Sequence, residues 1–127
     1  MPEMQRNIFK QAIAQGKLQI GLWSSLCSNI AAEVISDSGF DWILLDTEHS
    51  PNEIPDLVTQ LQAVQRGTTT PIIRPAWNDA VMAKRALDIG AQTLLVPLVE
   101  TAEQARAAVR STRYPPTTRA MCGPATV

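Results

Sequence analysis

The stretch "DWILLDTEHSPNE", residues 41–53, decides how this chain is read. Its apolar run from Trp42 to Leu45 does not alternate with polar residues, as expected for a strand covered on both faces in a parallel sheet. The run ends at Asp46. The chain then turns polar through Thr47, Glu48 and His49, its single histidine. A helix-start signature follows: Ser50 at the N-cap, Pro51 at the first helical position and Glu53 closing a capping box. A strand, a short polar loop and a helix therefore meet at His49.

The same unit recurs on either side. "LQIGLW" (18–23) reads as a strand, followed by a helix over 29–37 and a break at Gly39. Ile54, Leu57, Val58, Leu61 and Val64 mark one face of the helix after the central loop. "TPIIRP" (70–75) is a third strand, and Asn78 is placed to cap a helix that runs to Ile89 and stops at Gly90. "TLLVPLV" (93–99) reads as a fourth strand, and "TAEQ" (101–104) is a capping box opening a helix to about residue 113. Ahead of these units, Ile8, Phe9, Ala12 and Ile13 give a helix over 4–15 that ends at Gly16. The strands end near Trp23, Asp46, Arg74 and Pro97. The class is therefore α/β with about four parallel β/α units, right-handed crossovers and an N-terminal helix. Two architectures fit: an open doubly wound sheet, or part of a (β/α)8 barrel, which in full takes about 250 residues and eight strands.

The totals narrow the partners. The chain has 127 residues and a net charge of -1, with a pI of about 5.7. There is no basic cluster with interleaved aromatics, so neither nucleic acid nor an anionic membrane surface is an expected partner. The longest apolar runs fall far short of the about 20 residues needed to span a bilayer. The first residues have no apolar segment of the kind that signals secretion, so the expected compartment is the cytoplasm. Cys27 and Cys122 make neither a CxxC pair nor a disulfide framework and are expected as reduced thiols. No GxGxxG loop occurs, which argues against a nucleotide ligand.

In parallel β/α folds the loops after the strands carry the site, because strand C-termini and helix N-termini converge there. Those positions hold Trp23, Asp46, Glu48, His49 and Arg74. Imidazole is the natural general base near neutral pH, and an adjacent carboxylate orients it. An arginine on the neighbouring strand holds a carboxylate bidentately and stabilises an oxyanion. A helix starting at Ser50 would add partial positive charge. Plainer readings stand beside these: a loop hydrogen bonder for His49, a structural ion pair for Arg74, a loop cap for Asp46 and a solvated carboxylate for Glu48. Asp88, near the end of its helix, lies where the dipole disfavours negative charge, and a surface salt bridge is its plain reading.

"GLWSSLCS" (21–28), "GFDWILLDTEHSPN" (39–52), "PIIRPAWND" (71–79) and "LDIGAQTLLVPLVETAEQARAAVRSTRYPP" (87–116) together resemble the HpcH/HpaI aldolase family. The resemblance covers about residues 21 to 116 and implies the N-terminal half of a (β/α)8 barrel. It implies a metal-dependent class II aldolase, a carbon–carbon lyase, that cleaves 4-hydroxy-2-oxo acids to pyruvate, or a close relative, and an aldehyde. It implies magnesium, manganese or cobalt as the cofactor that polarises the oxo acid, and a homo-oligomer, a hexamer in full-length relatives.

By the same resemblance His49 in "DTEH" is the base. Arg74 in "IIRP" binds the 2-oxo acid and stabilises its enolate, and Asp88 in "LDIG" raises the basicity of the histidine. Trp23 in "GLW" borders the substrate, while Asp46 and Glu48 support the site from behind. The expected metal ligands, a glutamate and an aspartate, lie beyond residue 127. After residue 116 the family's glycine-rich arginine segment is replaced by "TTRAMCGPATV", so residues 1–116 are expected as the half-barrel and 117–127 as a divergent tail. With four strands and no metal ligands, low or no activity is expected from the chain alone. The alternative from another class is a non-catalytic half-barrel acting by self-association or by pairing with another chain.

Overall fold

The structure is a computed structural model and describes residues 6–113. Helix α1 spans Ile8–Ala14, strand β1 Gly21–Ser24, helix α2 Asn29–Ser36 and strand β2 Trp42–Asp46. Helix α3 spans Ile54–Val64, strand β3 Thr70–Arg74, helix α4 Ala80–Asp88 and helix α5 Ala102–Ser111. The three strands form one parallel sheet in the order β1-β2-β3. One half of a doubly wound sheet shares that order, but there the next strand returns to lie beside β1; here the next segment bridges to β3, through Leu94 and Ile73, and the order continues as in a barrel.

Strand periodicity settles which side is which. Residues in register across a parallel pair point the same way. Trp23, Leu44 and Ile72 are therefore on one face, with Asp46 and Arg74 two residues further on. Ile43, Leu45 and Ile73 point to the other face, where they pack with Ala32 of α2, Leu57, Leu61 and Val64 of α3, and Ala86 of α4. All three crossover helices thus cover one face, as outside a barrel, and Trp23, Asp46 and Arg74 project from the side that a barrel encloses.

The fourth strand is shorter than expected. Leu94 makes only a single parallel bridge to Ile73, through Ile73 N–H to Thr93 O at 3.1 Å and Leu95 N–H to Ile73 O at 2.9 Å. Its sheet position is that of the next barrel strand. Pro97 has no N–H to continue the ladder, and Leu98 has a φ of 55°, which turns the backbone out of extended geometry.

Helix ends differ from expectation in two places. The cap of α3 is Glu53, not Ser50, with a capping box closed by Asp56 and a proline, Pro55, in the first turn. Ser50 and Asn52 instead hydrogen-bond the Asp46 carbonyl, which holds residues 47–52 in a loop. Helix α4 is capped by Asp79 rather than Asn78, its carboxylate accepting from the amides of Val81 and Met82. The box at Thr101 and Gln104 is present as expected. Gly39 and Gly90 follow helices with φ of 87° and 108°, values glycine adopts without a Cβ penalty. The boundary at residue 116, the tail and Cys122 lie outside the described residues.

Candidate active site

The core of the site is an ion pair built by register. Asp46 and Arg74 are direct partners at the ends of β2 and β3, so their side chains leave the sheet together. Arg74 Nε donates to Asp46 Oδ1 at 2.8 Å, and its terminal Nη2 donates to Oδ2. This is the fork-to-fork arrangement that the planar guanidinium favours. Burial alone would raise the Asp46 pKa. The Arg74 hydrogen bonds, the amides of Glu48 and His49 and the Trp23 indole outweigh it and hold the carboxyl well below the usual range. In turn, the Asp46 hydrogen bond raises the Arg74 pKa against the effect of burial.

Three neighbours complete the cluster. The Trp23 indole donates to Asp46 Oδ2 at 3.3 Å, and its ring lies 4.7 Å from the Arg74 guanidinium carbon, within cation–π range. Glu48 Oε2 sits 3.0 Å from Arg74 Nη1 yet has no partner in hydrogen-bond geometry among the described residues; the contact is an ion pair without a directed bond. Asp46 Oδ1 also accepts from the Glu48 amide at 2.9 Å and the His49 amide at 3.4 Å. These two amides supply the positive potential that a helix starting at Ser50 was expected to give; that helix begins at Ile54. His49 itself points outward, its side chain 73% exposed with Nε2 3.5 Å from Glu48 Oε1.

Trp23, Asp46, Glu48, His49 and Arg74 thus converge at the carboxyl ends of the strands. Asp88 does not join them. It is the last residue of α4, and that helix runs back to the opposite end of the sheet, where Gly90 lines a cavity with Thr70 and Pro71. Sequence reasoning missed Thr47, Asn52 and Gln60. Thr47 ties the loop to β3 through its amide and hydroxyl, both donating to Arg74 O, at 3.0 and 2.7 Å. Asn52 and Gln60 are buried amides behind the loop. The available signal was a glutamine between Leu57 and Leu61, on the face of α3 that otherwise reads as apolar.

Whether these residues suit the divalent metal that the resemblance implies depends on free carboxylate oxygens. Both oxygens of Asp46 are engaged by Arg74, and Glu48 faces the same guanidinium. Among the described residues no group of three or more His, Cys, Asp or Glu is placed to hold a metal ion. In the described cluster both carboxylates face Arg74 rather than an open cation position.

A sequential parallel sheet with its helices on one side is the arrangement of consecutive β/α units of a (β/α)8 barrel. Comparison with known proteins agrees. The sequence profile of the HpcH/HpaI aldolase/citrate lyase family matches residues 19–126, and the chain belongs to that family. It is 56% identical over 110 residues to a 4-hydroxy-2-oxo-heptane-1,7-dioate aldolase of Klebsiella pneumoniae, covering 87% of this chain and 42% of that protein. The Escherichia coli protein of the same name is 53% identical over 110 residues, with the same coverage. A crystal structure of a family member from Burkholderia cenocepacia superposes with a TM-score of 0.83 at 41% identity, covering 87% of this chain and 44% of that one. The chain spans less than half the length of the curated relatives it matches.

Proposed function

We propose that this chain carries the oxo-acid-binding and proton-accepting part of a class II aldolase site, for cleavage of 4-hydroxy-2-oxo acids to pyruvate, or a close relative, and an aldehyde. The observation that supports it is the Asp46–Arg74 pair, a partly buried cation fixed at the strand ends, whose Nη1 faces Glu48 Oε2 at 3.0 Å without a directed hydrogen bond among the described residues. In this reading Arg74, held by Asp46, presents Nη1 to the substrate carboxylate or to the enolate oxygen, and Trp23 walls the guanidinium from water. His49 accepts the proton of the substrate's hydroxyl group as the carbon–carbon bond breaks. The electron pair passes to the oxygen beside the carboxylate as an enolate, and proton return to carbon gives pyruvate. Glu48 orients His49. Asp88, at the other end of the sheet, does not act on His49 from within the same chain.

The divalent ion implied by the resemblance would draw its ligands from outside the described residues, and the chain alone is proposed to have little aldol activity. The homologues are named as aldolases; a cytoplasmic, homo-oligomeric protein is part of the same proposal. Among the described residues no helix is long and apolar enough to cross a membrane.

The test is binding of pyruvate and of oxalate, a planar enolate mimic, followed through the indole N–H resonance of Trp23. Binding that disappears in Arg74→Lys supports the reading, because lysine cannot reproduce the fork. No shift at millimolar ligand, or binding indifferent to Arg74→Lys, sinks it. Aldol cleavage by the purified chain at the rate of a complete relative would overturn the expectation of low activity.

One observation favours a second reading, a half-barrel that works by association. The inward face leaves Trp23 at 47% and Leu95 at 42% exposure, apolar area that a second chain would cover. A monomer by analytical ultracentrifugation at high protein concentration excludes self-association; pairing with a different chain is excluded if none co-purifies.

A further inference from the structure

Gln60 is fully buried on the packed face of α3, where its neighbours in the helix stripe are Leu57, Leu61 and Val64. A leucine there would satisfy the packing. The amide instead leaves its own Oε1 without a hydrogen-bond partner among the described residues, which is costly for a buried acceptor. Its Nε2 accounts for its presence: it donates to Asn52 Oδ1 at 2.7 Å and to Asp56 O at 3.2 Å. Asn52, 3% exposed, passes the connection on, with Nδ2 donating to Asp46 O at 2.8 Å and to Ser50 Oγ at 3.1 Å. The Ser50 hydroxyl donates to the same Asp46 carbonyl. A buried amide relay therefore runs from the middle of α3 to the last carbonyl of β2.

That carbonyl is where the sheet hands over to the loop bearing Glu48 and His49. Both ends of the loop, Asp46 and Asn52, are held by the relay, and between them the amides of Glu48 and His49 reach back to Asp46 Oδ1. We propose that Asn52 and Gln60 are positioning residues, which fix the loop so that Glu48 and His49 stand beside the Asp46–Arg74 pair. Neither touches the cluster's reacting side chains. Their role as parts of an active site rests on the aldolase reading above, but the loop clamp itself does not.

The test is amide hydrogen exchange in the whole chain, measured residue by residue by NMR. In Gln60→Leu the Glu48 and His49 amides should exchange faster by about tenfold, the scale of one lost hydrogen bond. Leu44 and Leu45 in β2 should not change, and the thermal midpoint should hold or rise because the orphaned acceptor is gone. Asn52→Ala, which removes the clamp from the loop side, should show the same local acceleration and decides the matter if Gln60→Leu does not fold. The double variant should exchange no faster than Asn52→Ala alone, since Gln60 acts through Asn52. Unchanged loop amides, acceleration spread equally over β2, or additive effects would each overturn the proposal. None of these readouts uses activity, so loss of the aldolase reading would leave them intact.

Discussion

Asp46 and Arg74 are register partners on adjacent parallel strands, and their side chains close a two-bond fork at the point where both strands end. The fork joins the last residue of one strand to the last residue of the next. It places a fixed cation, backed by its own carboxylate, at the end of the sheet from which the loops rise.

Breaking that fork should cost more than removing it. Asp46→Ala leaves Arg74, whose side chain is only 15% exposed, without its main partner, and a loss of about 3 kcal/mol is expected. Arg74→Met should cost a similar amount by stranding Asp46. The double variant should lose clearly less than the two single losses added together, because no unpaired charge remains. Urea unfolding of the four proteins gives the comparison.

Stability should also follow the Asp46 proton. Folding depresses the pKa of this carboxyl below its unfolded value of about 3.9. The stabilisation is therefore fully present above that unfolded value and is lost as pH falls through the folded one. The urea midpoint should decline from about pH 5 downward, and the decline should be shallower in Asp46→Asn. Equal slopes in the two proteins would show that Asp46 is not the group responsible.

Gly21 should tolerate no side chain. A Cβ there would lie 1.9 Å from the Trp42 ring, its partner in register. Gly21→Ala should cost about 1–3 kcal/mol through overpacking, and Trp42→Leu in the same chain should recover part of it. A thermal melt that is unchanged by Gly21→Ala would contradict the close approach.

His49 should separate function from folding. Its side chain is 73% exposed, with Nε2 3.5 Å from Glu48 Oε1, so His49→Ala should change stability by no more than about 0.5 kcal/mol. Pyruvate binding through Arg74 should persist, while any exchange of pyruvate methyl protons for deuterium should vanish. Retained exchange in His49→Ala would assign the base elsewhere.

The β/α order, the three paired strands and the position of Asp46 and Arg74 at strand ends were legible because each rests on local signals. The run from Trp42 to Leu45 marks a strand covered on both faces, Thr101 with Gln104 marks a helix start, and polar residues after apolar runs mark the loops. Helix caps were read less well. In "SPNE" the cap fell to Glu53 because the Asp46 carbonyl drew Ser50 and Asn52 into the loop, and in "NDA" it is Asp79, one residue after Asn78, whose carboxylate accepts from Val81 and Met82.

Periodicity and turn chemistry act over a few neighbours, and they suffice to place residues at strand ends. Which of those residues meet is set by the folded arrangement. Strand register paired Asp46 with Arg74, the direction of α4 carried Asp88 to the far end of the sheet, and packing of α3 under the loop turned Gln60 from an apparent misfit into a hydrogen-bond donor. Those outcomes depend on contacts between residues far apart in the chain, and no local pattern encodes them.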